Sequence, residues 1–128
     1  MKSLFLVLML AGLVSACGSL TNTAYLDGAH EFGRADFKLH PVRVLAIDGD
    51  YTIDVNPVRA EPGLRKVRVE AAPVAGFREP TVKDVELSIA PCTRYYLAAR
   101  RENPLMQDFQ LVVQFTESIP DCMIAKNP

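Results

Sequence analysis

The sequence predicts an all-β fold, an antiparallel β-sandwich of about six or seven strands that follows a short N-terminal signal. From about residue 38, apolar and polar residues alternate in short runs, which is the period of a strand with one buried face. Turn residues separate these runs at intervals of roughly 8–14 residues, as in small sandwiches and barrels. No helix-length pattern with a 3.6-residue period competes with this interpretation.

The first half of the domain contains three predicted strands. Val42–Ile47 is apolar on both faces and is therefore predicted to be central. Residues 48–50 form a turn, because Asp-Gly tolerates the positive φ of a hairpin. The next predicted strand alternates Tyr51, Ile53 and Val55 with polar residues. Pro62 and Gly63 then suit a type II turn, and the strand after it places Val67, Val69 and Ala71 on one face.

The second half begins with a loop or edge connection over residues 72–80, which contain two prolines and a glycine. Three strands follow it. The first alternates Val85, Leu87 and Ile89 with polar residues, and the second spans residues 94–100. After a polar loop over residues 101–107, the third is expected to turn Phe109, Leu111, Val113 and Phe115 inward.

The N-terminus has the parts of a secretory signal. Lys2 precedes an apolar run, and the small residues Ser15 and Ala16 precede Cys17. The apolar run is shorter than the about 20 residues that a transmembrane helix needs. An alternative is an ordinary cleaved signal that a cysteine follows by coincidence.

The run Val14-Ser15-Ala16-Cys17 resembles a bacterial lipobox. This resemblance implies diacylglycerol on Cys17, cleavage after Ala16 and, usually, acylation of the new amino terminus. Because Gly18 rather than Asp follows the cysteine, the resemblance also implies an outer-membrane protein that faces the periplasm. The predicted organisation is a signal peptide over residues 1–16, an acylated cysteine with a flexible spacer over residues 17–37, and a β-sandwich over residues 38–128.

Cys92 and Cys122 are predicted to form a disulfide. Export would place them in an oxidising compartment, and with Cys17 acylated they are the two remaining cysteines. A redox pair and a metal site are the alternatives, but the sequence has neither C-x-x-C spacing nor accompanying histidines.

Catalytic, metal and nucleic-acid chemistry find little support in the sequence. Its two histidines, His30 and His40, lie in no catalytic or zinc-binding motif. Asp48, Asp50 and Asp54 lack the other positions of an EF-hand, so turn and surface roles are favoured over calcium. The formal net charge of −1 and the absence of a basic stripe exclude an electrostatic nucleic-acid interface. We therefore predict no enzyme activity, no cofactor and no metal.

Arg94, Tyr96 and Arg100 form a candidate interaction surface. They belong to the main aromatic and basic concentration of the chain, and such residues are enriched at interface hot spots. In the alternative interpretation, Tyr95 and Leu97 line the core while these three residues cover the opposite face without a partner.

Three segments resemble parts of PEGA-like domains, which are small Ig-like β-sandwich modules. They are residues 46–49 (AIDG), residues 61–63 followed by the strand at 66–70, and the later YYLAA at residues 95–99. The chain departs from that pattern at Leu64-Arg65, where a histidine is usual, and in the length of the loop at residues 72–80. The resemblance implies an envelope sandwich used for attachment or assembly and carries no catalytic residue across.

These features predict a non-enzymatic, membrane-anchored envelope lipoprotein that serves as a structural or interaction module of the outer membrane. Its expected partners are membrane lipid, through Cys17, and an envelope protein or glycan. The alternative is a periplasmic ligand-binding or inhibitor lipoprotein, which a cavity or a protruding loop at residues 72–80 would favour.

Overall fold

The computed structural model describes residues 21–30, 36–52, 55–74 and 76–124. Within these ranges nine strands form two packed sheets, which confirms the predicted all-β sandwich. The strands are β1 (Ala24–Asp27), β2 (Leu39–His40), β3 (Val42–Ile47), β4 (Asp50–Tyr51), β5 (Val58–Ala60), β6 (Gly63–Ala71), β7 (Thr81–Ile89), β8 (Thr93–Arg100) and β9 (Gln110–Ser118). No helix in the described ranges is long and apolar enough to cross a membrane.

The first sheet has the order β9-β8-β1-β5, and β2 pairs with the far part of β8. β1 runs parallel to β8, with Tyr25 opposite Arg94, while the other pairs are antiparallel. This single parallel pair departs from the purely antiparallel sandwich that the sequence predicts.

The second sheet has the order β4-β3-β6-β7. β6 and β7 pair over all nine residues, from Gly63 opposite Ile89 to Ala71 opposite Thr81. Gly63 has a φ of +117°, a conformation that a residue with a side chain rarely adopts, and it starts β6 directly after Pro62. The turn predicted at Pro62-Gly63 therefore lies where the pairing of β6 with β7 begins.

The core lies between the two sheets and is built from alternate strand residues. Its largest fully buried side chains are Phe109, Leu26, Leu97, Val67 and Val69. The predicted inward faces of β6 and β8 are confirmed, since Val67, Val69, Ala71, Tyr95 and Leu97 all belong to the core.

The N-terminal boundary of the domain differs from the prediction. β1 lies inside the segment expected to be a flexible spacer, and its Ala24 and Leu26 are fully buried in the core. Because β1 pairs with β5 on one side and β8 on the other, it is an interior strand of the first sheet. The sandwich therefore begins upstream of residue 38.

The strand predicted around Tyr51, Ile53 and Val55 is much shorter than expected. Pairing with β3 covers only Asp50 and Tyr51, and the backbone amide of Thr52 makes one further bond to the Leu45 carbonyl. Ile53 lies outside the described residues. After Pro57, which has no N–H to donate, the chain pairs with β1 of the other sheet as β5.

The inward face predicted for β9 is correct at one end and wrong at the other. Phe109 and Leu111 pack in the core. A bulge follows, because Tyr96 pairs with Phe115 while the next residue, Leu97, pairs with Val113. The additional residue turns Phe115 to the outer face, and Val113 is also largely exposed at this edge strand.

The strand ends define two ends of the sandwich. The entry end contains residues 21–23, 48–50, 61–64, 90–92 and 119–124, next to the start of β1. The loop end contains residues 28–30, 36–41, 55–56, 72–74, 76–80 and 101–109.

Candidate functional site

Two long loops meet at the loop end and are held together by hydrogen bonds, two of them partly buried. The buried guanidinium of Arg101 donates to the Ala72 carbonyl oxygen at 2.8 Å. The Gln107 side-chain amide accepts from the Val74 backbone N–H at 3.0 Å and donates to the Glu79 carbonyl at 2.9 Å. The two loops are therefore tied to each other at several points, which favours a fixed surface.

Large apolar side chains are exposed on these loops and on the segments beside them. They are Phe37, Val55, Phe77, Val82, Leu105 and Met106, and we call them the loop-end surface. Leu105 is 72% exposed although it is one of the most apolar residue types. Several large apolar side chains in contact with water at one end of a domain are typical of a surface that binds a partner.

A cleft of about 590 Å³ opens beside the loop-end surface. Its apolar wall includes Pro41, Val42, Val44, Ala72, Pro73 and Pro80. Arg43 and Glu70 line the same cleft and form an ion pair across β3 and β6, with 2.9 Å between nitrogen and oxygen. The cleft thus combines apolar walls with one acidic and one basic group, a composition that suits a small organic ligand or an extended peptide.

Close backbone packing holds β1 against β3 next to this cleft. The Val42 N–H donates to the Gly28 carbonyl at 2.9 Å. A side chain at Gly28 would collide with the carbonyl oxygen of Val42. Only glycine therefore allows the two sheets to approach this closely at the loop end.

Asn56 connects the cleft to a buried ion pair behind it. Its side chain donates to Asp27 at 2.9 Å and accepts from the Gly28 N–H at 3.2 Å. The Asp27 carboxylate, whose side chain is 4% exposed, also accepts from Arg94 at 2.6 Å and from the Ala29 N–H at 3.0 Å. Burial alone would raise the pKa of Asp27, but these hydrogen bonds and the Arg94 charge lower it below its usual value.

The predicted interaction surface of Arg94, Tyr96 and Arg100 is not brought together as an exposed patch. Tyr96 is only 7% exposed, because the His30 ring (4.8 Å) and the Phe115 ring (6.1 Å) cover it. Arg94 lies over the Tyr96 ring and turns toward Asp27. These contacts favour a structural role for Arg94 and Tyr96.

The hydroxyl of Tyr96 donates to Glu117 at 2.7 Å, and this bond raises the pKa of Tyr96. Arg100 lies at the other end of β8, where it pairs with Glu102 at 2.8 Å. Asp27 and Asn56, which organise this region, were not identified from the sequence. The side chains that bond to Asp27, those of Asn56 and Arg94, lie 29 and 67 residues from it along the chain, so no local motif marks this group.

The remaining predicted site residues are distributed as follows. The sulfur atoms of Cys92 and Cys122 lie 2.06 Å apart, at the distance of a disulfide. Cys17 lies outside the described residues. Asp48 is a turn residue with a φ of +50°, and the N–H of Lys66 and the Arg65 guanidinium lower its pKa. Within the described ranges, no three His, Cys, Asp or Glu side chains are grouped to hold a metal ion.

The two histidines have different surroundings. His30 contacts Tyr96, whereas His40 lies in β2 with its Nε2 buried and without a hydrogen-bond partner in the described structure. Burial, and secondarily the charge of Arg101, lowers the pKa of His40.

No protein-family model, no curated protein and no solved structure matches this chain. The resemblances to lipoprotein signals and to PEGA-like domains therefore stay predictions.

Proposed function

We propose that the chain is a membrane-anchored, non-catalytic envelope lipoprotein whose β-sandwich binds another envelope component through the loop-end surface. The observation that carries this proposal is the exposure of Phe37, Phe77, Leu105 and Met106 on loops that hydrogen bonds hold in place. Burying such side chains against a partner is favourable, at about 25 cal/mol for each Å² of apolar surface. A protein partner fits this surface better than a glycan, because the exposed groups are large and apolar.

The anchor is supported by the signal ending at Cys17 and by the position where the described chain begins. Thr21 forms a bridge to Met123 and Asn22 donates to the Met123 carbonyl at 2.9 Å, next to Cys122. The described part of the sandwich therefore starts at Thr21, four residues after Cys17. An anchor placed there would leave the loop-end surface, at the opposite end of β1, free to meet a partner.

Cross-linking in the native envelope tests the partner. A photo-reactive amino acid at Phe77 or Leu105 should give reproducible products with particular envelope proteins. The matched control is the same amino acid at Glu86, an exposed position in the middle of β7. Equal or absent cross-linking at all three positions would contradict the proposed surface.

The anchor needs its own test. Mass spectrometry of the N-terminal peptide should find a diacylglyceryl group on Cys17 and no residues before it. Cys17→Ser should release the protein from the membrane fraction and reduce the cross-linked products at Phe77. An unmodified Cys17 in the mature protein would contradict anchoring.

A second candidate, a ligand-binding or inhibitor lipoprotein, is favoured by the cleft of about 590 Å³ and by the adjoining loop at residues 72–80. Native mass spectrometry of the protein extracted from its envelope distinguishes the two. A bound small molecule that is lost in Val55→Trp, which adds bulk at an exposed position of the cleft wall, would favour this second function.

A further inference from the structure

We propose that the entry end of the sandwich rests on the bilayer surface, with Leu64, Met123 and Ile124 in contact with lipid. This inference rests on the proposed acylation of Cys17 and adds to it an orientation and a contact surface. It concerns the end of the domain opposite the loop-end surface.

The length of the tether supports this contact. Thr21 follows Cys17 by four residues, and four residues span at most about 14 Å even when fully extended. The interfacial layer of a bilayer is about 5–8 Å thick on each side. With the acyl chains of Cys17 in the hydrocarbon, the start of β1 is therefore held at or just above the headgroups.

The side chains at this end include exposed apolar groups, which contact with lipid requires. Leu64 is 67% exposed and Met123 is 61% exposed, and Ile124 is similarly open to solvent. Leu64 lies at the start of β6, while Met123 is tied to Thr21 and Asn22. The three residues thus border the site where the chain enters the sandwich.

The polar groups at this end are mixed in charge. A cleft between residues 21–23 and the turn at Glu61-Pro62 is lined by Arg59 and Arg65. Arg65, however, pairs with Asp48 at 3.1 Å and lies 3.8 Å from Glu61. Because the acidic residues at this end, Asp48, Asp50, Glu61 and Asp121, outnumber Arg59 and Arg65, apolar contact rather than attraction to anionic lipid should dominate.

Tryptophan fluorescence tests the orientation directly, because the chain contains no tryptophan. Leu64→Trp and Met123→Trp place a reporter at the entry end, and Leu105→Trp and Phe77→Trp are the matched controls at the loop end. All four positions are exposed, so the substitutions should leave the fold intact. Each full-length lipoprotein is reconstituted into vesicles of phosphatidylethanolamine and phosphatidylglycerol with dibrominated acyl chains.

We expect the emission of Leu64→Trp and Met123→Trp to shift to shorter wavelength and to lose most of its intensity to bromine quenching. The two controls should keep the emission they have in detergent. The same contrast should appear in phosphatidylcholine vesicles, because anionic lipid is not required. Quenching confined to the loop-end reporters, or absent from all four, would overturn the proposed orientation.

Flotation of the vesicles separates failure of the orientation from failure of the anchor. Protein that floats with the vesicles but is not quenched at the entry end overturns the orientation alone. Protein that does not float, and whose Cys17 is unmodified by mass spectrometry, overturns both the anchor and the orientation.

Discussion

Replacing Leu26 with alanine tests whether β1 is part of the core or part of a flexible tether. Leu26 is fully buried between the sheets, and its strand is paired on both sides. Truncating a buried leucine to alanine costs about 2–5 kcal/mol, from lost burial and from the cavity that remains. Because Leu26 has no exposed surface, we expect its truncation to cost more than the lower limit of that range, at about 3 kcal/mol or more.

A loss of this size should lower the melting temperature by about 12 °C or more, since each kcal/mol shifts a domain of this size by about 4–8 °C. The measurement is thermal and urea unfolding of the full-length protein in mild detergent, followed by far-ultraviolet circular dichroism. Leu105→Ala is the control, because its side chain is mostly exposed and should change stability by about 0.5 kcal/mol at most. Equal melting temperatures for the two variants would refute the placement of β1 in the core.

Three further predictions concern the polar and covalent links of the domain. Cys92→Ser combined with Cys122→Ser should lower the free energy of unfolding by about 3.5–4 kcal/mol, because the pair closes a loop with a sequence separation of 30; an unchanged urea midpoint would contradict this. Asp27→Asn should lower the free energy of unfolding by about 3 kcal/mol, the lower limit for breaking a buried ion pair, because Arg94 remains partly hydrated. The control is Asp108→Asn, at an exposed carboxylate, which should lower it by less than about 1 kcal/mol in the same urea titration. The lowered pKa of His40 means that the unfolded chain takes up a proton near pH 6.5 while the folded chain does not. Stability should therefore fall as pH decreases from about 7.5 to 5.5, and this slope should be smaller in His40→Gln; an equal slope would contradict the assignment.

The elements predicted correctly are those whose signal is local and long. β6, β7 and β8 have eight or nine residues each, enough for alternation to be recognised, and Pro62-Gly63 marks the start of β6. β1 has four residues and lies between polar neighbours. Its burial depends on β5 and β8, which are distant in sequence, so periodicity alone could not identify it.

The orientation of Phe115 shows a second limit of pattern reading. The alternation of β9 is continuous in the sequence, and only the pairing with β8 reveals the bulge that turns Phe115 outward. The same region shows why Arg94, Tyr96 and Arg100 do not form an exposed patch. Tyr96 was expected to face solvent, but His30 comes from the segment taken as a spacer and covers its ring.

The length of β6 and β7 keeps the two apolar ends of the sandwich apart. Nine paired residues separate the ends by about 30 Å, about twice the maximum reach of the tether after Cys17. When the entry end contacts lipid, Leu105 and Phe77 therefore stand in the aqueous space. Lipid cannot cover them there, so under the proposed function they are the side chains that an envelope protein would bury. A variant such as Leu105→Asp should then weaken that binding without changing membrane attachment.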